Sequence, residues 1–254
     1  MNDLRQSTGT GARVDAEEVA RFAAQAARWW DPAGDAKPLH RINPIRLQFI
    51  RDRLAAWFGR DATSLVPFRG LNLLDIGCGA GLATEPMVRL GFDVTGIDAS
   101  EDMIAAARSH AAAGGLTIEY QAAAATELAA AGRTFDAVLT LEVIEHVPDP
   151  DAFIDTAARL VAPGGALILS TLNRTPRAFL LGIVAAERVL RWVPAGTHDW
   201  RRFRRPSELA TALRGAGLRL DALSGIGYDA IRDRWRLTPD VGVNYLLMAV
   251  RPTR

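Results

Sequence analysis

The chain predicts an α/β fold, a mostly parallel sheet covered by helices on both faces, and three observations carry that reading. Five short apolar runs, at 71–76, 93–97, 116–121, 135–141 and 166–172, alternate with Ala-rich helical stretches near 82–90, 101–113, 124–131 and 150–161. Strands that alternate with helices form βαβ units whose strands are buried on both faces. A helix near 206–215 and two more strand candidates, 218–223 and 243–250, bring the expected sheet to seven strands. Finally, 254 residues that are 49% hydrophobic and 23% charged suit one large core and exclude wholesale disorder.

Residues 1–14 are polar, contain Gly9 and Gly11 and show no periodicity, so a disordered tail is expected before a single domain over 15–254. From Asp15 the apolar positions Val19, Phe22, Ala23 and Ala26 recur at helical spacing, and Asp15 with Glu18 has the capping-box arrangement. Trp29-Trp30-Asp31-Pro32 ends that helix. A loop then runs to Asn43, and Pro44 suits the first turn of a second helix reaching about Phe58, so N-terminal helices fill 15–60. No internal repeat or low-complexity linker interrupts the rest, apart from an insertion at 174–200 that follows the fifth strand.

Composition excludes several classes. Thirty basic residues against 29 acidic ones give a formal charge of +1, too little for a general nucleic-acid binder. Lys37 is the only lysine, and the heavy use of Arg and Ala reads as coding bias. Cys78, alone, excludes an intramolecular disulfide or a Cys-based zinc site. Residues 1–20 hold no apolar signal segment and no apolar run approaches the ~20 residues that span a bilayer, so the expectation is a cytoplasmic protein. Charge is unevenly spread: residues 172–205 carry +6 and the remainder −5.

Asp75-Ile76-Gly77-Cys78-Gly79-Ala80-Gly81 stands where the first strand turns into the next helix. Alternate glycines let the backbone take unusual dihedrals and let a ligand approach, and the helix that follows points amide groups at the loop. Asp98 ends the second strand 21 residues after Gly77, about where an acid holds a ribose diol. Dinucleotide folds space their glycines as G-x-G-x-x-G for a pyrophosphate. Here an acid precedes the first glycine, and a carboxylate beside the loop suits a cationic ligand better. The pattern resembles the class I S-adenosylmethionine (SAM) methyltransferases, with their Rossmann-like fold and a sulfonium cofactor. That resemblance implies that Gly77, with Gly79 in the same loop, lies against SAM and that Asp98 holds its ribose. It also implies an antiparallel last strand at 243–250, and of the residues after the third strand it leaves only Glu127 to reach adenine.

Further segments narrow the resemblance. They are Arg28-Trp29-Trp30-Asp31, residues 37–44 (Lys-Pro-Leu-His-Arg-Ile-Asn-Pro), residues 142–150 (Glu-Val-Ile-Glu-His-Val-Pro-Asp-Pro), Ser170-Thr171-Leu172-Asn173-Arg174, residues 194–199 and Val243-Asn244-Tyr245. Together they are similar to the ubiquinone biosynthesis O-methyltransferase family, from about residue 14 to 250. The resemblance implies methylation of ring hydroxyls on polyprenylated catechol and demethylubiquinol intermediates, both O-methylation steps of one pathway. It places the family's SAM contacts on Arg46, Gly77, Asp98 and Leu141, and it implies magnesium dependence.

The chemistry itself asks for alignment of a phenol oxygen with a methyl group, and for help in ionising a hydroxyl of pKa about 10. Glu142, Glu145 and His146 follow the fourth strand, at the carboxyl edge where such folds bind ligands. If the turn is helical, their spacing puts all three on one face, a plausible divalent-metal set that a catechol completes. The same residues also suit a plain helix start, where the dipole favours acids, and His146 suits a general base as well as a ligand. Trp29, Trp30 and His40 either shape a quinone pocket or pack the N-terminal helices together.

Three other functions compete. A nicotinamide oxidoreductase shares the loop but lacks the third glycine at the right spacing. A non-catalytic scaffold of a membrane-associated biosynthetic complex, or a methyltransferase for another hydrophobic phenol, keeps the fold. Residues 176–193, with Phe179, Leu180, Ile183 and Trp192 among Arg188 and Arg191, read as an amphipathic stretch. It either lies on an anionic membrane surface, giving peripheral inner-membrane association, or packs on the sheet.

Overall fold

The computed structural model describes residues 26–34, 36–180, 199–229 and 232–253. The expected tail, the helix expected from Asp15 as far as residue 25, and residues 181–193 of the amphipathic stretch lie outside the described residues. In chain order the elements are α1 (Lys37–Trp57), β1 (Asn72–Ile76), α2 (Thr84–Arg89), β2 (Asp93–Asp98), α3 (Glu101–Ala113), β3 (Glu119–Ala122), α4 (Ala125–Ala130) and β4 (Phe135–Leu141). There follow α5 (Pro150–Leu160), β5 (Val161–Leu172), the single turn α6 (Pro176–Ala178), α7 (Pro206–Gly215), β6 (Arg219–Asp229), β7 (Arg234–Thr238) and β8 (Asn244–Val250).

Among the described residues eight strands form one sheet in the order β3-β2-β1-β4-β5-β8-β6-β7. β1 to β5 run parallel, β8 runs antiparallel to both β5 and β6, and β7 antiparallel to β6. The seven expected strands and the antiparallel direction of the last are thus present, with β7 added at the edge. The chain moves outward from β1 to β3 and returns to β4 beside β1. That reversal opens a crevice at the carboxyl ends of β1 and β4, the usual ligand position in such sheets.

Successive strand residues face opposite ways, which gives the sheet two cores. Leu74, Val138, Leu167, Leu169, Tyr245 and Leu247 meet Phe153 and Ile154 of α5 and Leu209 and Leu213 of α7. Leu73, Ala137, Leu139, Ile168, Leu246 and Met248 face Phe49, Ile50 and Leu54 of α1. Local signals fix the helix starts. Ser100 Oγ accepts from the Met103 amide, and Asp149 Oδ1 accepts from Ala152 with Pro150 in the first turn.

One expectation is corrected, and one strand is new. The helix expected to start at Pro44 begins at Lys37, with Pro38 in its first turn and Pro44 inside it. Ile42 and Ile45 pack on the α1 core on either side of Pro44, so packing outweighs the hydrogen bond that proline removes. β7, short and Arg-rich, was not among the strands expected. Trp235 and Leu237 nonetheless alternate onto the α1 core, and Arg41 of α1 clasps Asp233 at the hairpin end, 2.6 Å away.

Candidate active site

The loop after β1 takes left-handed backbone at Gly77 (φ 70°), Gly79 (φ 53°) and Gly81 (φ 94°). A Cβ at Gly77 would lie 2.5 Å from Cγ2 of Val143, in the turn after β4, and one at Gly81 would lie 2.3 Å from the Tyr120 hydroxyl oxygen. These are close approaches that only glycine permits. The Gly77 and Cys78 amides donate to the Ile97 carbonyl, so the loop is hung from the end of β2.

Asp98 finishes that fastening. Its Oδ2 accepts from the Gly79 amide and its Oδ1 from Ser100, each at 2.9 Å. Each oxygen keeps a second lone pair, so both ribose hydroxyls of a nucleoside still find acceptors there. Burial raises the pKa of Asp98, against the amides that lower it. Beneath the loop, Asp75 is buried and accepts from Thr84 Oγ1 at 2.7 Å. Burial pushes its pKa up to about 7, the Thr84 bond opposing and the Asp98 charge adding to the rise.

Trp29 and Trp30 lie on this loop. A Gly79 Cβ would meet the Trp29 indole at 3.4 Å, and the Trp29 Nε1 is buried without a hydrogen-bond partner. Trp30 Nε1 donates to the Ala80 carbonyl, and its ring stacks on His110, which bonds the buried Glu85 at 2.6 Å. His40 bonds the Trp29 carbonyl. Trp29 and Trp30 thus pack around the glycine loop, and Trp30 and His40 also line a cavity with Asn43, Leu47 and His110. Glu127 accepts from the Ala124 amide and caps its own helix.

Across the crevice, Leu141 ends β4 and Glu142 follows with φ 56°, a left-handed conformation in a non-glycine residue. Glu142 Oε1 accepts from Arg46 Nη2 of α1 at 2.8 Å and from Ser170 Oγ of β5 at 2.6 Å. Arg46 is buried, and its Nε has no partner. Glu145, in the 3-10 turn Ile144–His146, accepts from Thr171 Oγ1 at 2.8 Å.

This overturns the one-faced set expected of Glu142, Glu145 and His146. The left-handed residue breaks the helical spacing. Ser170 and Thr171 are consecutive in β5 and therefore point to opposite sides of the sheet, so the two glutamates are drawn apart. Glu142 goes to the α1 side and Glu145 to the side of Tyr245. Among the described residues no three His, Cys, Asp or Glu side chains gather to hold a metal. The magnesium implied by the resemblance finds no fitting donor set here, because one carboxylate is committed to a guanidinium and the other is sunk in the opposite core. No sequence signal marked this: a left-handed glutamate looks like any other. The motif residues Asn173 and Tyr245 are structural. Asn173 Nδ2 donates to Val241, and the Tyr245 hydroxyl to the Arg204 carbonyl.

A methyltransferase domain family matches residues 40–223. The chain is 50% identical over 247 residues to the "Ubiquinone biosynthesis O-methyltransferase" of Parvibaculum lavamentivorans, covering 97% of this chain and 98% of that one. It is also 50% identical to the protein of that name from Sinorhizobium medicae, over 94% and 96% of the two chains. Among solved structures, the magnesium protoporphyrin IX methyltransferase of Synechocystis with bound SAH superposes with a TM-score of 0.62. That match covers 92% of this chain and 99% of that one at 20% identity, a likeness of fold.

Proposed function

Because the chain belongs to the ubiquinone biosynthesis O-methyltransferase family, we propose that its crevice binds SAM and methylates ring hydroxyls of polyprenylated catechol and demethylubiquinol substrates, serving both O-methylation steps. The observation that carries the reading is the Asp98 carboxylate, locked to the glycine loop through the Gly79 amide yet keeping lone pairs for a ribose. Gly77 and Gly79 give the cofactor backbone to lie against, Leu141 borders it at the end of β4, and Arg46 supplies a cation with a donor to spare. SAM, when bound, supplies a methyl group on a sulfonium. The chain's part is to hold the acceptor oxygen in line with it and exclude water.

The acceptor hydroxyl must lose its proton. His146, half-buried in the turn after β4, is the base we assign to it. Phe179 and Leu180 are exposed at 46% and 57%, just before residue 181. Together with the basic surplus of 172–205 they support a docking face for an anionic inner-membrane surface, where a polyprenyl substrate resides. Among the described residues no helix is long and apolar enough to cross a membrane.

The deciding experiment is mass-shift detection of methyl transfer from SAM to a short-chain prenyl catechol. A mass gain of one methylene is expected; SAM binding with no transfer to any prenyl catechol would overturn the substrate assignment. A His146→Gln variant should lose most of its methyl transfer to the catechol while keeping SAM affinity. Sedimentation with anionic vesicles should retain the protein at low salt and release it at high salt. Failure to sediment at low salt removes the membrane part of the reading.

A further inference from the structure

We infer that Glu142 is a positioning residue for the cofactor, holding Arg46 ready for the α-carboxylate of SAM, and that its strained backbone is maintained for that purpose. The inference rests on the reading that Arg46 contacts SAM. A non-glycine residue at φ 56° persists only where its surroundings over-determine it. Here the Glu142 amide donates to the Ser170 carbonyl, and its Oε1 takes both the Ser170 hydroxyl and the Arg46 guanidinium. One backbone bond and two carboxylate bonds thus hold the residue in a conformation that its backbone resists.

The pair is unfinished from the side of the arginine. Its side chain is 7% exposed, one amino group meets Glu142, and Nε is buried with no acceptor. A guanidinium carries five N–H donors in a fixed fork, and a buried one left short of acceptors waits for an anion. The α-carboxylate is the one anionic group SAM carries. A metal ion on Glu142 would instead sit against a buried guanidinium of like charge, which disfavours it.

Calorimetric titration of SAM into EDTA-treated protein, combined with thermal unfolding, tests this. Glu142→Ala should weaken SAM about tenfold or more without any metal present, and Glu142→Gln, which keeps the acceptor, should recover most of that loss. In an Arg46→Ala background, Glu142→Ala should cost almost nothing further, because the two act as one unit. Glu142→Gly should melt about 2–4 °C above Glu142→Ala while binding SAM equally weakly, since only the backbone strain differs. If SAM affinity in EDTA is unchanged by Glu142→Ala and Glu142→Gln, or the Arg46 and Glu142 losses add, the inference falls and the functional reading stands. Wild type that does not bind SAM overturns both.

Discussion

The loop after β1 and the turn after β4 stand side by side at the carboxyl edge of the sheet, and both need left-handed backbone. In the loop glycines take it at Gly77, Gly79 and Gly81; in the turn a glutamate does, at Glu142. The loop spends no strain and leaves its mark in the sequence. The turn stores strain, ties it down with Arg46 and Ser170, and leaves no mark. On the proposed reading, the difference separates a backbone surface that receives the cofactor from a side chain that holds Arg46 ready for it. The two regions touch where Gly77 faces Val143.

That contact is where the comparison breaks most easily. Gly77→Ala adds a methyl 2.5 Å from Val143 in left-handed backbone. The strain and overpacking should together cost about 2–5 kcal/mol in chemical denaturation and abolish SAM binding. The loop also hides a charge. Asp75 has its folded pKa raised to about 7 by burial, so the native state binds the extra proton between about pH 4 and 7. Stability should therefore fall as pH rises through that window, by at most about 1.4 kcal/mol per unit. Asp75→Asn, which keeps the Thr84 bond, should flatten the slope in denaturation series across pH; an unchanged slope would show Asp75 ionised throughout.

Asp98→Ala removes a charged acceptor and should lower SAM affinity ~10- to 100-fold by calorimetry. Its effect should exceed that of Glu142→Gln, because Asp98 also fastens the loop. The smallest effect belongs to the buried side of the turn. Tyr245→Phe deletes the hydroxyl bond to the Arg204 carbonyl and should cost about 1 kcal/mol of stability with SAM affinity intact.

Legibility follows the same division. The βαβ order, the glycine loop and Asp98 were readable because period, glycine spacing and an acid at a strand end each have one physical meaning. Arg46 was placed by resemblance, and its partner was missed. Pairing across α1, β4 and β5 depends on which way side chains turn, and the expected helical turn at 142–146 hid the break. β7 escaped because five residues with two inward side chains give too little periodicity. Pro44 misled because the apolar packing around it is decided by the sheet, which begins 28 residues further on.

The position of β8 has a consequence for how the molecule is made. Residues 244–250 emerge late in synthesis yet occupy the interior of the sheet, hydrogen-bonded to β5 on one side and β6 on the other. Until they arrive, the nascent chain holds two open strand edges, one of them the apolar run Leu167–Ile168–Leu169. Such edges invite pairing with other chains. The last strand is thus the keystone of assembly, and a ribosome that stalls before it releases a species poised to aggregate.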